Sequence, residues 1–150
     1  MSLKEKINDG IKSALKNGEK VRLETLRSIK TVILEFEKSG SGRDINPDDE
    51  LSMVNSLVKR RKEAIELFKA AGRIELAEKE QSELDILMEF LPKQLNESEI
   101  KDLILSKASE LGIKAKNEFP KLMPAIMKEL KGKAEGNLVK KLVTDYLETL

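Results

Sequence analysis

The stretch from residue 83 to residue 99 constrains the fold most, because it ends one helix and starts another within a few residues. Apolar residues before the corner recur at helical spacing and form one stripe: Leu84, Leu87, Met88 and Leu91. Pro92 disfavours helical geometry at the residue before it, so the first helix is expected to stop there. Asn96 can cap the next helix, with Glu99 completing a capping box. We therefore predict a subdomain boundary between about Leu91 and Asn96.

The composition predicts an all-α protein. Of the 150 residues 39% are hydrophobic and 37% charged, with four Phe, one Tyr and no Trp. Aliphatic residues under heavily charged faces are typical of helices. Cysteine and histidine are absent, which removes disulfides, thiolate sites and the usual general base near neutral pH. No apolar run approaches the roughly 18 residues of a membrane helix, and no signal-peptide core opens the chain. We expect a soluble, cytoplasmic protein without cofactor or metal.

Apolar spacing and capping signals predict about seven helices in two subdomains. An N-terminal bundle of four helices is expected over residues 1–91, and a three-helix subdomain over residues 96–150. Pro124 is expected to bend or delay the sixth helix. The predicted helices span roughly residues 2–17, 19–38, 47–71, 73–90, 97–111, 118–130 and 136–150.

The charge is unevenly distributed along the chain, although the net charge is only +1. Residues 73–110 hold 5 Lys/Arg and 10 Asp/Glu, whereas residues 111–141 hold 8 Lys/Arg and 3 Asp/Glu. Solvated helix faces can produce such a pattern, and so can a basic interaction face. The C-terminal segment is therefore where we look for a binding site.

The clearest candidate site is Lys131-Gly132-Lys133-Ala134-Glu135-Gly136, which joins a helix end to a helix start. The first backbone N–H groups of a helix have no intrahelical partners, and the helix dipole is positive there. Gly136 permits the close approach of another backbone, and nearby lysines add positive charge: Lys128, Lys131 and Lys133. Together these are the parts of a phosphate cradle. The alternative is an ordinary helix–helix turn with solvated lysines.

Other basic residues are further candidates for contact with the phosphates of a nucleic acid. The last two predicted helices also carry Lys121, Lys140 and Lys141. The run Lys59-Arg60-Arg61-Lys62 lies on the third helix, where successive residues are about 100° apart and cannot share one face. The alternative is that Arg60 and Lys59 pair with acids further along the same helix, Glu63 and Glu66. The secondary RNA-binding candidates are Arg27, Lys30 and Arg61.

Three stretches of the chain resemble the YqeY family. Residues 83–95 are similar to its E-L-x-I-L-x-x-Y-L-P-x-Q-L pattern, with Phe90 where Tyr is usual. Residues 131–136 are similar to K-G-K/R-A-D-G, with Glu135 in place of Asp. A weaker likeness over residues 121–127 follows Phe119-Pro120, where the family usually has Met-Gly. With the opening helices, the likeness covers nearly the whole chain.

The resemblance implies a bacterial protein whose C-terminal part is shared with the tail of GatB, a subunit of the glutamine-dependent aspartyl/glutamyl-tRNA amidotransferase. It implies a GatB/YqeY-like three-helix domain, and contact with tRNA, because the related tail contacts the elbow side of tRNA. The serine-serine-lysine site and the nucleotide-binding body of that enzyme have no counterpart in this sequence. Carbon–nitrogen ligase activity with glutamine as amido-N-donor is therefore implied only within a larger amidotransferase, and we assign no catalytic residue.

We expect a non-catalytic tRNA-binding protein or accessory module that recognises phosphates and shape. The few aromatic residues argue against a single-strand stacking platform. A protein-interaction adaptor is the alternative from another class, with an aminoacyl-tRNA synthetase or amidotransferase subunits as partners. A large exposed apolar patch would favour the adaptor. Neither a membrane nor a metal is expected as a partner.

Overall fold

The computed structural model describes residues 1–40 and 42–150, and within these ranges it contains seven α-helices and no strand. A 3-10 turn, Lys116–Glu118, precedes the sixth helix. The prediction of an all-α fold with about seven helices is confirmed. The helices are α1 Leu3–Asn17, α2 Lys20–Lys38, α3 Pro47–Ala70, α4 Ile74–Met88, α5 Glu97–Leu111, α6 Phe119–Leu130 and α7 Gly136–Glu148.

The chain divides into two compact units, Met1–Leu91 and Pro92–Leu150, each with its own apolar core. In the N-terminal unit α1 packs on α2, α3 packs on α4, and α2 contacts both α3 and α4. In the C-terminal unit α5, α6 and α7 contact one another. The most deeply buried side chains of the N-terminal unit are Ile7, Leu26, Ile29, Ile33 and Leu87. Those of the C-terminal unit are Ile100, Ile104, Leu122, Ile126 and Val139.

Capping signals place the helix starts where the sequence predicts them. The Asn46 side chain accepts a hydrogen bond from the Asp49 N–H at 2.8 Å, and Pro47 opens α3. The Asn96 side chain accepts one from the Glu99 N–H, also at 2.8 Å, and opens α5. Each cap satisfies a donor that the helix itself leaves without an acceptor. These local signals fix both starts to the residue.

The end of α4 differs from the prediction, because the helix stops at Met88 rather than near Leu91. The N–H groups of Glu89, Phe90 and Leu91 donate to carbonyls three residues back, at 3.2, 3.0 and 3.2 Å. A last turn with this spacing is tighter than an α-helix. The effect of Pro92 on the helix therefore extends over the last turn, residues 89–91, rather than over Leu91 alone. The loop expected around residues 39–43 includes Ser41, which lies outside the described residues.

Two further expectations need correction. Pro124 does not delay α6, which starts at Phe119 and continues through the proline, while the expected bend stays a prediction. The cost of one missing backbone hydrogen bond is offset there by an apolar face that is fully buried. Leu15, which helical spacing places on the apolar face of α1, is 56% exposed. Met53 of α3 and Val139 of α7 are also core residues.

Two acidic side chains hold α6 in position within the C-terminal unit. The Glu118 carboxylate accepts hydrogen bonds from the Lys114 and Ala115 N–H groups at 2.6 and 3.0 Å, which lower the pKa of Glu118 below its ordinary value. Glu129 of α6 pairs with Lys107 of α5 at 2.6 Å, and this bond, followed by that from Glu110, raises the pKa of Lys107. The start and the outer side of α6 are thus tied to α5 and the loop after it.

Candidate nucleic-acid interface

The turn between α6 and α7 has the geometry of a type II turn. Lys131 has φ −54° and ψ 120°, and Gly132 follows with φ 74°. The Lys133 N–H donates to the Leu130 carbonyl at 2.8 Å and closes the turn. A positive φ at the third residue of such a turn favours glycine. Gly132 is therefore needed for the backbone path, while Lys131 and Lys133 on either side of it are exposed.

The turn is held by the segment that precedes α5. The Gln94 side-chain amide donates to the Gly132 carbonyl at 2.7 Å and to the Pro92 carbonyl at 2.9 Å. The Leu95 N–H donates to the Lys133 carbonyl at 2.9 Å. Two stretches that each resemble a family motif thus meet in the C-terminal unit. Sequence reasoning missed Gln94, because nothing local to it indicates a partner 38 residues away.

The N-terminus of α7 follows directly. Its first intrahelical bond runs from the Val139 N–H to the Glu135 carbonyl, at 3.1 Å. The N–H groups of Gly136, Asn137 and Leu138 precede that bond and have no acceptor within the helix. Glu135 occupies the N-cap position and makes no side-chain cap hydrogen bond. The positive end of the helix dipole therefore lies next to the turn that carries Lys131 and Lys133.

The fold does not require a glycine at position 136. Gly136 is the first residue of α7 and is not among the glycines with positive φ. A Cβ added there would lie 3.7 Å from Cε of Met127, which is ordinary van der Waals contact. The missing side chain leaves the start of α7 open to an incoming group.

Replacing Gly136 with Ala is expected to separate binding from stability. Because alanine fits the backbone and reduces the entropy of the unfolded chain, the free energy of unfolding should rise by about 0.4–1 kcal/mol. The affinity for tRNA that the resemblance implies should fall severalfold, because the added methyl group obstructs the first N–H groups of α7. Urea unfolding and filter binding measure the two effects. Unchanged affinity would show that this backbone is not a contact.

The candidate lysines lie on the outer sides of α6 and α7. Lys121 and Lys128 are two helical turns apart and share the face of α6 opposite its buried residues. Lys140 lies one turn beyond Gly136 on α7, and Lys141 lies on its exposed side. Within residues 1–40 and 42–150, four of the lysines form no ion pair: Lys128, Lys133, Lys140 and Lys141. Their charge is not neutralised by a close carboxylate.

The secondary candidates differ in their surroundings. Arg27 is exposed on α2, and Lys30, one turn further along, is half-buried. Arg61 pairs with Glu83 at 2.9 Å and Glu80 at 3.3 Å across the α3–α4 contact, and its side chain is only 18% exposed. Of the three candidates, Arg61 is therefore the one whose charge is already used within the fold.

The predicted pairing of Lys59 and Arg60 with acids on their own helix is wrong. In the described part of the chain, no ion pair joins Lys59 or Arg60 to Glu63 or Glu66. The acids that pair with Arg61 come from α4. Antiparallel packing of α3 and α4 brings these groups together, which helical spacing alone does not predict.

A cavity of about 390 Å³ in the N-terminal unit is a weaker candidate. Most of its charged groups have a partner within the fold: Lys4 pairs with Glu37 at 2.9 Å, and the Glu50 carboxylate accepts the Leu3 N–H at 2.6 Å. Arg43 at its rim pairs with Asp49 at 2.6 Å. Such a cavity offers little unsatisfied charge to a ligand.

Among the described residues, no helix is both long and apolar enough to span a membrane.

The comparison with known proteins agrees with the resemblance in the sequence. The chain is 32% identical over 127 residues to Altered inheritance of mitochondria protein 41, mitochondrial, of Pyrenophora tritici-repentis, which covers 83% of this chain and 68% of the relative. It is 33% identical over 93 residues to an uncharacterized protein of Schizosaccharomyces pombe, and the match covers 61% of this chain and 70% of that relative. Residues 4–147 match the family described as Yqey-like protein. The chain therefore belongs to the Yqey-like protein family.

Proposed function

We propose that the chain binds structured RNA of the tRNA class through phosphate contacts. The binding surface, called the basic surface below, consists of Lys121, Lys128, Lys131, Lys133, Gly136, Lys140 and Lys141. The observation that carries the proposal is the juxtaposition of lysines with a helix start whose N–H groups have no intrahelical acceptor. The likeness of the family to the GatB tail supports tRNA as the ligand.

The C-terminal unit favours duplex shape over single strands. Its aromatic residues are Phe119 and Tyr146, and both pack against the core. Binding of single strands usually relies on exposed aromatic rings on which bases stack. Lysines on helices instead contact phosphates and follow the shape of an A-form helix.

In this proposal the chain has no catalytic step of its own. Its role is that of an accessory module, and carbon–nitrogen ligase chemistry with glutamine would come from an amidotransferase that shares the tRNA. The cytoplasmic location expected from the sequence stays a prediction. The name of one relative includes the word mitochondrial.

A salt series tests the proposal. Purified protein is titrated into bulk bacterial tRNA between 50 and 200 mM salt, with single-stranded poly(U) as the comparison ligand. The logarithm of the association constant should fall by about 0.7–0.9 per neutralised phosphate for each tenfold rise in salt. With about five contacts, affinity for tRNA should drop on the order of 100-fold across this range. Affinity that does not change with salt, or no binding, would contradict the proposal.

The adaptor is the second candidate, and one observation favours it. Three large apolar side chains near the α3–α4 turn are exposed: Leu67 by 70%, Ile74 by 54% and Leu76 by 41%. Exposed apolar clusters of this kind often mark protein-binding surfaces. Two results together would favour the adaptor. The protein would not bind tRNA, and it would capture a purified amidotransferase or synthetase, with this capture lost when Leu67 and Ile74 are changed to Ser.

A further inference from the structure

Gln94 makes a contact that no candidate role so far accounts for. Its side-chain Nε2 donates to two backbone carbonyls, that of Pro92 at 2.9 Å and that of Gly132 at 2.7 Å. The side chain is exposed rather than packed in the core, so its contribution is polar. The next residue, Leu95, donates its backbone N–H to the Lys133 carbonyl at 2.9 Å. Two successive carbonyls of the α6–α7 turn, those of Gly132 and Lys133, thus receive hydrogen bonds from one short segment.

These hydrogen bonds determine which partial charges the turn presents to an approaching anion. Carbonyl oxygens carry partial negative charge and repel phosphate, whereas N–H groups and ammonium groups attract it. With the Gly132 and Lys133 carbonyls engaged from the Gln94 side, the turn keeps its acceptors turned toward its own unit. Lys131 and Lys133 remain exposed, beside the start of α7.

We infer that Gln94 is a positioning residue that makes the α6–α7 turn selective for anions. The inference rests on the proposed function, since it names the group that shapes the same RNA-binding surface. Gln94 touches neither RNA nor a reacting atom in this role. It acts by fixing the Gly132 carbonyl, and with it the direction in which the two flanking lysines leave the backbone.

The chemistry of the amide makes this role sensitive to small changes. A glutamate at position 94 has a similar shape but is acceptor-only when ionised, so it cannot donate to the Gly132 carbonyl. Its carboxylate would then face a carbonyl oxygen and stand near the lysines of the turn. A methionine at position 94 also lacks the donor but adds no charge. The two variants therefore separate loss of the hydrogen bond from addition of a negative charge.

The test compares tRNA binding by full-length Gln94→Glu, Gln94→Met and a matched control, Gln81→Glu. Gln81 is exposed on α4, where its amide donates to Asp85 at 2.9 Å, so the control changes the net charge equally outside the basic surface. Gln94→Glu should raise the Kd about tenfold, the lower end of the effect of losing one lysine–phosphate hydrogen bond, because a lysine of the turn then no longer points to its phosphate. Gln94→Met should raise it severalfold, and Gln81→Glu should leave it within about twofold.

The salt slope and amide hydrogen exchange distinguish positioning from a general loss of structure. Gln94→Glu should lower the salt slope by about one phosphate contact. It should also speed exchange at the Leu95 and Lys133 amides while the core amides of α5 stay protected. Equal binding and equal slopes for Gln94→Glu and Gln81→Glu would overturn the inference and leave the proposed function intact. Failure of the unaltered protein to bind tRNA would overturn both.

Discussion

Changing Lys128, Lys131 and Lys133 together to Ala is expected to remove most of the salt-dependent affinity for tRNA. If each lysine neutralises one phosphate, the salt slope should fall by about 2–3. The ratio of affinities at 50 and 200 mM salt should then shrink about 20- to 40-fold. The three side chains are exposed, so the fold should persist. Filter binding across the salt series measures the slope, and circular dichroism checks the helix content.

A variant with the same loss of charge elsewhere is the control. Lys12, Lys16 and Lys20 are exposed on α1 and α2, and changing them to Ala removes three positive charges from the N-terminal unit. This variant should keep nearly the whole slope. Equal losses in both variants would mean that net charge alone governs binding. Full binding by the first variant would move the site, with Arg27 and Lys30 the next residues to change.

Changing Arg61 to Ala is expected to destabilise the N-terminal unit by about 3 kcal/mol, the lower end of the cost of removing one partner of a buried ion pair. The reason is that two carboxylates then face each other without a cation. Glu83, whose side chain is only 12% exposed, lies 2.9 Å from the guanidinium, and Glu80 lies 3.3 Å from it. Urea unfolding followed by circular dichroism measures the change in the free energy of unfolding.

The neighbouring Arg60 provides the matched control. It is exposed and forms no ion pair within the described residues, so Arg60→Ala should change stability by no more than about 0.5 kcal/mol. A double variant, Arg61→Met with Glu83→Gln, should recover part of the loss, because it removes both charges of this partly buried pair. At a temperature where Arg61→Ala stays folded, its tRNA affinity should equal that of the unaltered protein. Reduced affinity there would restore Arg61 as an RNA contact.

Helix starts in this chain can be predicted because their causes are local. Asn46 and Asn96 are each followed three residues later by an acid, and the hydrogen bonds that cap α3 and α5 span only those residues. The apolar spacing behind each cap predicts the number of helices for the same reason. The all-α fold follows from signals that never extend beyond a few turns.

Long-range partners cannot be predicted in this way. Gln94 meets Gly132 across 38 residues, and Arg61 meets Glu83 across 22. To predict either contact, one must know which elements pack together and in which register. Sequence reasoning paired the neighbouring Lys59 and Arg60 with acids on the same helix and treated Arg61 as a secondary RNA-binding candidate. The basic surface could be proposed from sequence because its lysines and Gly136 are close in the chain, whereas the residue that holds its turn could not.

Amide mapping by NMR tests the central claim most directly. The ¹⁵N-labelled full chain is titrated with tRNA at low salt, and the amide resonances are followed residue by residue. The largest shifts are expected from Lys128 to Lys141, centred on the turn and the first residues of α7. Shifts that cluster on α3 and the start of α4, with the Lys131 to Leu138 amides unmoved, would contradict the account and place the interface on the N-terminal unit.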